Sequence, residues 1–273
     1  IGASGPLESR SSHGSRSMPM TSRALLERLS RGWSFKRRLP APFGRRLRVS
    51  GDSMLKYLDP RPSRAFDPML LRFALDEIAP NAMVWDIGAN VGVFSAAASA
   101  RSGADGRVLA IEADPWLASL LRQTSLLGRA EDAPIDVLSV AIAGGTSVMR
   151  LNIARRGRAS NWLDEMDSRS QSGGSRNSVL VPTYGLDKLA EITFHPDVVK
   201  IDIEGAELIA LRSATRVLQE VRPIWLIEVG DPQRDEATRL LRDAGYRLFD
   251  GGADSPRETP VEACTFNTLA IPD

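Results

Sequence analysis

Short apolar runs and longer amphipathic stripes alternate along this chain. Residues 83–87, 107–112, 135–142, 198–203 and 224–229 are largely apolar, as expected of strands buried on both faces of a parallel sheet. Between them the spacing turns helical. Leu70, Phe73, Ala74 and Ile78 follow Asp67-Pro68 and stop before Pro80, and Leu117, Leu120, Leu121 and Leu127 follow Asp114-Pro115, with Gly128 as the expected C-terminal stop. An aspartate followed by proline supplies an N-cap acceptor and a pre-set first helical residue. Further helices are predicted over 93–100 and 206–218, and from Asp231-Pro232 to Gly245. Residues 246–249 and 266–271 read as closing antiparallel strands, and 148–153 and 180–181 as additional extended pieces. The alternation predicts an α/β fold with seven mostly parallel strands covered by helices on both faces.

Two segments depart from this rhythm. Residues 155–178 are rich in Ser, Arg and Gly, too long and polar for an ordinary connection and so marked for function or disorder. Residues 1–50 carry eleven basic and two acidic side chains, a net +9, so the overall +1 leaves −8 for the rest. The division expected is a basic, flexible N-terminal extension over 1–50 and one domain over 51–273, with residues 1–20 disordered and a short basic helix over 21–31. Few aromatics accompany the arginines (Trp33, Phe35, Phe43), which argues against a nucleic-acid arm. Cys264 is the sole cysteine, no apolar run nears the roughly 20 residues of a membrane span, and no secretory h-region is visible. A reducing, cytoplasmic setting is the expectation.

The first stretch with chemistry is Asp86-Ile-Gly-Ala-Asn-Val-Gly, from the end of one predicted strand to the start of a helix. Gly88, Asn90 and Gly92 tolerate left-handed backbone, so a tight turn there is expected to bring bare N–H groups up to a ligand. Asp86 is expected to point a carboxylate into the same crevice. An acid there repels phosphate and attracts an ammonium or sulfonium, which favours S-adenosylmethionine over a nicotinamide dinucleotide. Glu112 ends the next predicted strand about 20 residues on, where nucleoside-binding α/β folds place a carboxylate on ribose hydroxyls.

The second stretch is Val198-Val-Lys-Ile-Asp-Ile-Glu-Gly-Ala-Glu207. Strand alternation puts Lys200, Asp202 and Glu204 on one face of what should be a central strand, an expensive arrangement unless the charges are paired or functional. A purely structural Lys200–Asp202 pair, with Glu207 serving a helix N-terminus, is the competing expectation. Glu228 ends the neighbouring strand and can add a carboxylate to the rim.

These two blocks, with Ile227-Glu228-Val229, resemble the FkbM family of S-adenosylmethionine-dependent methyltransferases over roughly residues 65–271. The resemblance implies a class I methyltransferase fold and methyl transfer to a hydroxyl of a sugar, glycan or similar metabolite. It implies that Asp86, Gly88, Asn90 and Gly92 hold the methionine end of the cofactor, Glu112 its ribose, and Val140 and Ala141 its adenine. The family commonly follows the acid of the second strand with proline, whereas here Ala113-Asp114 intervenes before Pro115. Asp202 and Glu204, with Glu228 behind them, are the candidate catalytic carboxylates, since one of them must take the acceptor's proton. No metal site is expected, the only histidines being His13 and His195. Acceptor recognition falls to residues 155–178, with Asn161 and Trp162, and to the segment before Asp67. Two other readings stay open. One is a nicotinamide-dependent oxidoreductase, against which stand Asp86 and Asn90 in the turn and the Pro/Gly-flanked setting of Tyr184 and Lys188, the one pair at Tyr-x-x-x-Lys spacing; the other is a non-catalytic binding module.

Overall fold

The computed structural model describes residues 29–154, 158–163 and 174–273; the predicted disordered tail and all but the end of the predicted basic helix lie outside them. The chain runs β1 (Phe35–Arg38), β2 (Arg46–Val49), α1 (Pro68–Glu77), β3 (Met83–Ile87), α2 (Val93–Ser102), β4 (Arg107–Ile111), α3 (Pro115–Ser125), β5 (Ile135–Leu138), β6 (Ala141–Ile142), β7 (Ser147–Ala154), β8 (Trp162–Leu163), β9 (Ser175–Tyr184), α4 (Leu186–Ile192), β10 (Val198–Ile201), α5 (Glu207–Arg212), β11 (Ile224–Glu228), α6 (Arg234–Asp243), β12 (Tyr246–Asp250) and β13 (Asn267–Pro272). Seven strands form the central sheet in the order β12-β13-β11-β10-β3-β4-β5. The five from β11 to β5 are parallel, and β12 and β13 close one edge antiparallel.

Strand alternation sorts the core into two layers. Val84, Val108, Val198 and Leu226 pack with Ala74, Phe94, Leu117 and Leu121 of α1, α2 and α3. Their neighbours Trp85, Leu109, Val199 and Trp225 pack on the other face with Leu189, Leu211 and Leu241 of α4, α5 and α6. Two of the three predicted caps are present: Asp67 accepts from Met69 N and Asp114 from Trp116 N, both at 2.9 Å, whereas Asp231 lies in a short 3₁₀ turn ahead of α6 and pairs with Arg234 instead of capping the helix. Gly128 lies beyond the end of α3 and serves a different need, because a Cβ there would sit 2.6 Å from the Arg45 guanidinium.

Three expectations change. The predicted strand over 135–142 divides into β5, in the central sheet, and β6, which joins a second sheet of order β6-β9-β7-β8. The polar stretch over 155–178 is entered from its far end by β9, which pairs antiparallel with β7 from Ser147↔Thr183 to Ala154↔Ser175. Strand propensity there resides in the partner, since Ser175, Arg176, Asn177 and Ser178 carry no apolar alternation. The helix predicted over 206–218 stops at Arg212, and a separate π-helical turn follows at Val217–Val221.

The boundary at residue 50 does not coincide with the edge of the core. β1 and β2 pair as an antiparallel hairpin, and Leu39, Phe43, Leu47 and Val49 are buried in the α1–α3 layer. The arginines of this segment conceal a period of two, with Leu47 and Val49 turned inward between Arg46 and Arg48. Arg45 itself is buried, pairing with Asp132 at 3.0 Å with both side chains 1% exposed. Removing one partner of such a pair leaves an uncompensated charge. Arg45→Ala is expected to cost about 3 kcal/mol, readable as a lowered urea midpoint, with Asp132 keeping only Arg129.

Candidate functional site

A cleft opens over the carboxyl ends of β3, β4 and β10, the place where open α/β sheets bind ligands.

Its floor begins with the turn after β3. Gly88, Asn90 and Gly92 are all left-handed, with φ of 74°, 54° and 84°. Yet the turn offers no bare N–H group. Gly88 and Ala89 donate to Ile111 O at 3.0 and 2.9 Å, Asn90 to Glu112 Oε2 at 2.8 Å, Val91 to Asn90 Oδ1 at 2.8 Å, and Gly92 to Ala89 O at 2.8 Å. The expected amide cradle is therefore consumed internally, and the turn presents carbonyl and carboxylate oxygens instead. This is the wrong polarity for a pyrophosphate and the right one for hydroxyls and cations.

The glycines are needed for close approach within the protein. A Cβ on Gly88 would lie 1.8 Å from the Asp202 carbonyl oxygen, and one on Gly92 2.4 Å from Leu121 Cδ1 of α3. Of the residues expected to hold cofactor, Gly88, Asn90, Glu112, Val140 and Ala141 border the cleft; Asp86 and Gly92 do not. Asp86 is fully buried beneath the turn, where Oδ2 accepts from Ser95 N at 2.9 Å and Ser95 Oγ at 2.5 Å. Being two residues from Val84, it faces the same helical layer rather than the crevice. Lys200 lies opposite Asp86 in the β3–β10 register. Its Nζ donates to Gly88 O at 2.9 Å and stands 3.5 Å from Asp86 and 3.6 Å from Asp202. Burial opposes the Lys200 charge, but Asp202 and Asp86 hold its pKa above the usual lysine value. Lys200 thus pins the turn to the second block, which is the structural role weighed for it.

The strand alternation expected of the second block ends at Ile201. Asp202 N donates to Ile87 O at 3.2 Å, then Glu204 and Gly205 turn left-handed with φ of 52° and 99°. This reversal brings Asp202, Ile203 and Glu204 together onto the cleft wall. Glu207 stays behind the wall: its Oε1 accepts from Ile203 N at 2.9 Å and Gly205 N at 3.2 Å, while Gln233 Nε2 donates to Gly205 O at 2.7 Å. The wall is therefore braced by groups that do not touch the cleft. Glu228 also does not border it, but its charge is felt by Glu204.

These carboxyls sit in a low-dielectric, mutually repulsive setting. Burial first, then Asp202 and Glu228, push Glu204 up to about 8. Burial, then Asp202 and Glu207, push Glu228 up to about 7. Burial is also the main cause that raises Glu112 to about 7, against the hydrogen bonds it accepts from Asn90 N and Asp114 N, each 2.8 Å.

The far side is built from the segment before Asp67 and from residues 158–163, both within the stretches expected to recognise the acceptor. Ser53 Oγ donates to Asn90 Oδ1 at 2.5 Å, and Met54 borders the cleft. Arg158 spans two buried acids, reaching Asp52 at 3.0 Å and Asp114 at 2.5 Å, with its guanidinium 4.7 Å over the Trp116 ring. Asn161 Nδ2 donates to the same Asp114 at 2.9 Å, and Trp162, 6% exposed, borders the cleft from its packed position. Residues 158–163 are thus held over the cleft by Arg158, by Asn161 and by the pairing of β8 with β7. Arg158→Ala is expected to cost about 2–3 kcal/mol, with Asp52 keeping Arg176 and Asp114 keeping Asn161. The same variant should weaken S-adenosylhomocysteine binding about tenfold, a loss that calorimetric titration would read directly.

The family profile described as the methyltransferase FkbM domain matches residues 86–248. The hexuronic acid methyltransferase AglP of Haloferax volcanii is 26% identical over 178 residues, covering 64% of this chain and 67% of that protein. Among solved structures, the methyltransferase FkbM from Methylobacillus flagellatus is 21% identical with a TM-score of 0.48, covering 75% of this chain. This chain spans about half of its length, 48%. The magnesium protoporphyrin IX methyltransferase of Synechocystis, solved with S-adenosylmethionine bound, is 12% identical with a TM-score of 0.42, covering 75% of this chain and 76% of that one. More than half of the chain lies within the profile match, and the chain belongs to the FkbM family of S-adenosylmethionine-dependent methyltransferases.

Proposed function

We propose that this protein methylates a hydroxyl of a sugar or glycan, with Glu204 as the base and Asp202 beside it as the group that orients the acceptor. The observation that carries the reading is the convergence of Asp202 and Glu204 on the wall of the cleft that also contains Glu112 and the β3 turn.

The donor set suits S-adenosylmethionine. Glu112 at the end of β4 offers carboxylate oxygens to a ribose diol, and Ile111, Leu117, Val140 and Ile142 offer an apolar slot for a purine. The amides of 88–92 are spent, so no nest for a dinucleotide pyrophosphate remains. Tyr184 and Lys188, the pair an oxidoreductase would need, lie at the end of β9 and in α4, away from the cleft lining. The cofactor supplies an already activated methyl group when bound. What the protein must do is hold an acceptor oxygen in line at about 3 Å and take its proton. Glu204 Oε can take that proton because its affinity for one is raised close to that of a useful base at neutral pH. Asp202, 39% exposed and held by Lys200, is placed to accept a hydrogen bond from a neighbouring acceptor hydroxyl. A sugar is favoured as acceptor because the wall is acceptor-rich and hydroxyls are donors, and the hexuronic acid named for AglP is itself a sugar.

The test is calorimetric titration with S-adenosylmethionine and S-adenosylhomocysteine, followed by transfer of labelled methyl to a panel of pyranosides. Micromolar cofactor binding with label in an alkali-stable methyl ether is the expected result. Cofactor binding with label appearing on nitrogen would overturn the hydroxyl assignment.

A further inference from the structure

The turn at residues 50–54 is polar, yet it is sealed inside the protein. Ser50, Asp52 and Ser53 are 0, 5 and 1% exposed. The turn closes on itself: Ser50 O accepts from Ser53 N and Met54 N at 3.2 and 3.3 Å, and Ser50 Oγ accepts from Asp52 N at 3.1 Å. Its other polar groups reach outward to elements around the cleft. Ser53 Oγ donates to Asn90 Oδ1 on the β3 turn. Asp52 O accepts from Arg158 N at 2.9 Å, and Asp52 Oδ2 accepts from Arg158 Nε at 3.0 Å and Arg176 Nη2 at 2.9 Å. A buried carboxylate is costly without such partners, so the turn is stable only with these links made.

What Asp52 holds is the roof of the cleft. Arg158, Ala159 and Asn161 border the cleft beside Glu112, Val140 and Ala141. Those last three line it while only 8, 4 and 5% exposed, so the slot between them and the roof is narrow. A ligand the size of a nucleoside reaches such walls only when the covering segment lifts. The roof is otherwise held by the two-residue pairing of β8 with β7 and by Asn161 on Asp114. Asp52 itself does not border the cleft.

Resting on the assignment of this slot to the ribose and adenine of the cofactor, we propose that Asp52 is a positioning residue for cofactor exchange. Its double link to Arg158 latches residues 158–163 over the slot, and the latch breaks each time S-adenosylmethionine enters or S-adenosylhomocysteine leaves. Because Asp52 touches the roof and not the ligand, it stabilises the closed roof equally with or without a ligand beneath it. A contact of equal strength in both states changes the rates of exchange and not the affinity. Arg176 supplies an internal contrast, since it shares the same Asp52 oxygen from β9 and has no part in the Arg158 link.

The test is stopped-flow binding of S-adenosylhomocysteine to the full chain, read by tryptophan fluorescence because Trp162 borders the cleft. Asp52→Asn should raise the association and dissociation rate constants alike by about tenfold, the usual worth of a hydrogen bond to a charged group, with Kd changed by less than about threefold. Arg176→Gln removes the other ion pair of Asp52, leaves the latch, and should keep both rates within about twofold of wild type. Unchanged rates in Asp52→Asn overturn the proposal. So does a faster dissociation matched by an equal rise in Kd, or the same effect from both variants, since either outcome gives Asp52 a merely structural role. Hydrogen exchange of the wild-type protein needs no variant to fold. Amides of residues 158–163 should exchange by local opening well before those of β3 and β10, and should slow when S-adenosylhomocysteine is added. Equal protection of the roof and the two strands also overturns the latch. A wild-type protein that fails to bind S-adenosylhomocysteine removes the slot assignment on which the proposal rests, and the proposal with it.

Discussion

Glu204→Gln is expected to lower methyl transfer by about 10²–10⁴-fold, the usual worth of a positioned general base, while S-adenosylhomocysteine affinity stays within a few-fold. The glutamine keeps the shape and the left-handed backbone at φ 52° is retained, but the side chain can no longer take a proton. The wild-type pH profile should carry the same signature. A carboxyl raised to about 8 is protonated at lower pH and useless as a base there, so kcat/KM should climb through pH 7 and level off above about 8. A profile already flat from pH 6 would assign the proton to another group. Stability should move the opposite way. A carboxyl whose pKa is raised on folding, from 4.5 to about 8, binds more protons in the folded state across that window, so folding stability falls as pH rises between those values. Glutamine removes that slope. At pH 9 the variant should be more stable than wild type by on the order of 1–2 kcal/mol, a figure discounted because the carboxyl is partly solvated. Lost activity with gained stability is the mark of a strained functional group rather than a structural one.

Gly88→Ala should be the most damaging single methyl in the protein. The residue is left-handed at φ 74°, and its Cβ would lie 1.8 Å from a backbone oxygen, that of Asp202. Backbone cannot swing aside like a side-chain tip, so either β10 or the β3 turn must move. Left-handed strain together with forced displacement gives about 4 kcal/mol or more. The displacement falls on both halves of the site, since Lys200 joins the Gly88 carbonyl to Asp202. Cofactor binding should be lost along with stability. Gly205→Ala is the control: at φ 99° it shares the backbone strain, but nothing lies within 4 Å of its Cβ. It should cost about 1–2 kcal/mol and leave cofactor binding measurable. Equal thermal shifts for the two variants would show that close approach to Asp202 is not what requires Gly88.

Much of this architecture was legible in one dimension. The apolar runs at 83–87, 107–111, 198–201 and 224–228 are buried strands because a parallel strand covered on both faces admits little else. Asp67-Pro68 and Asp114-Pro115 mark helix starts because capping is local chemistry. Asp202, Glu204 and Glu112 stood out because acids at strand ends are costly without a role, and all three border the cleft.

What stayed hidden depends on partners distant in sequence. Arg45 looks like one basic residue among eleven until Asp132 receives it in the core. The polar residues of β9 become a strand only because β7 offers an edge. Asp52 and Arg158 have no motif, and their importance comes from burial beside charges far along the chain. Alternation by itself could not show that Asp86 faces a helical layer while Glu204 faces the cleft, since left-handed backbone at Glu204 and Gly205 breaks the pattern after Ile201. Local sequence determined the strands, most of the caps and the identity of the candidate acids, because hydrophobic period and capping act within a few residues. Tertiary structure decided which acids border the cleft and which are sealed beneath it, because backbone amides, burial and the sharing of one lysine are settled only when β3, β4 and β10 lie side by side.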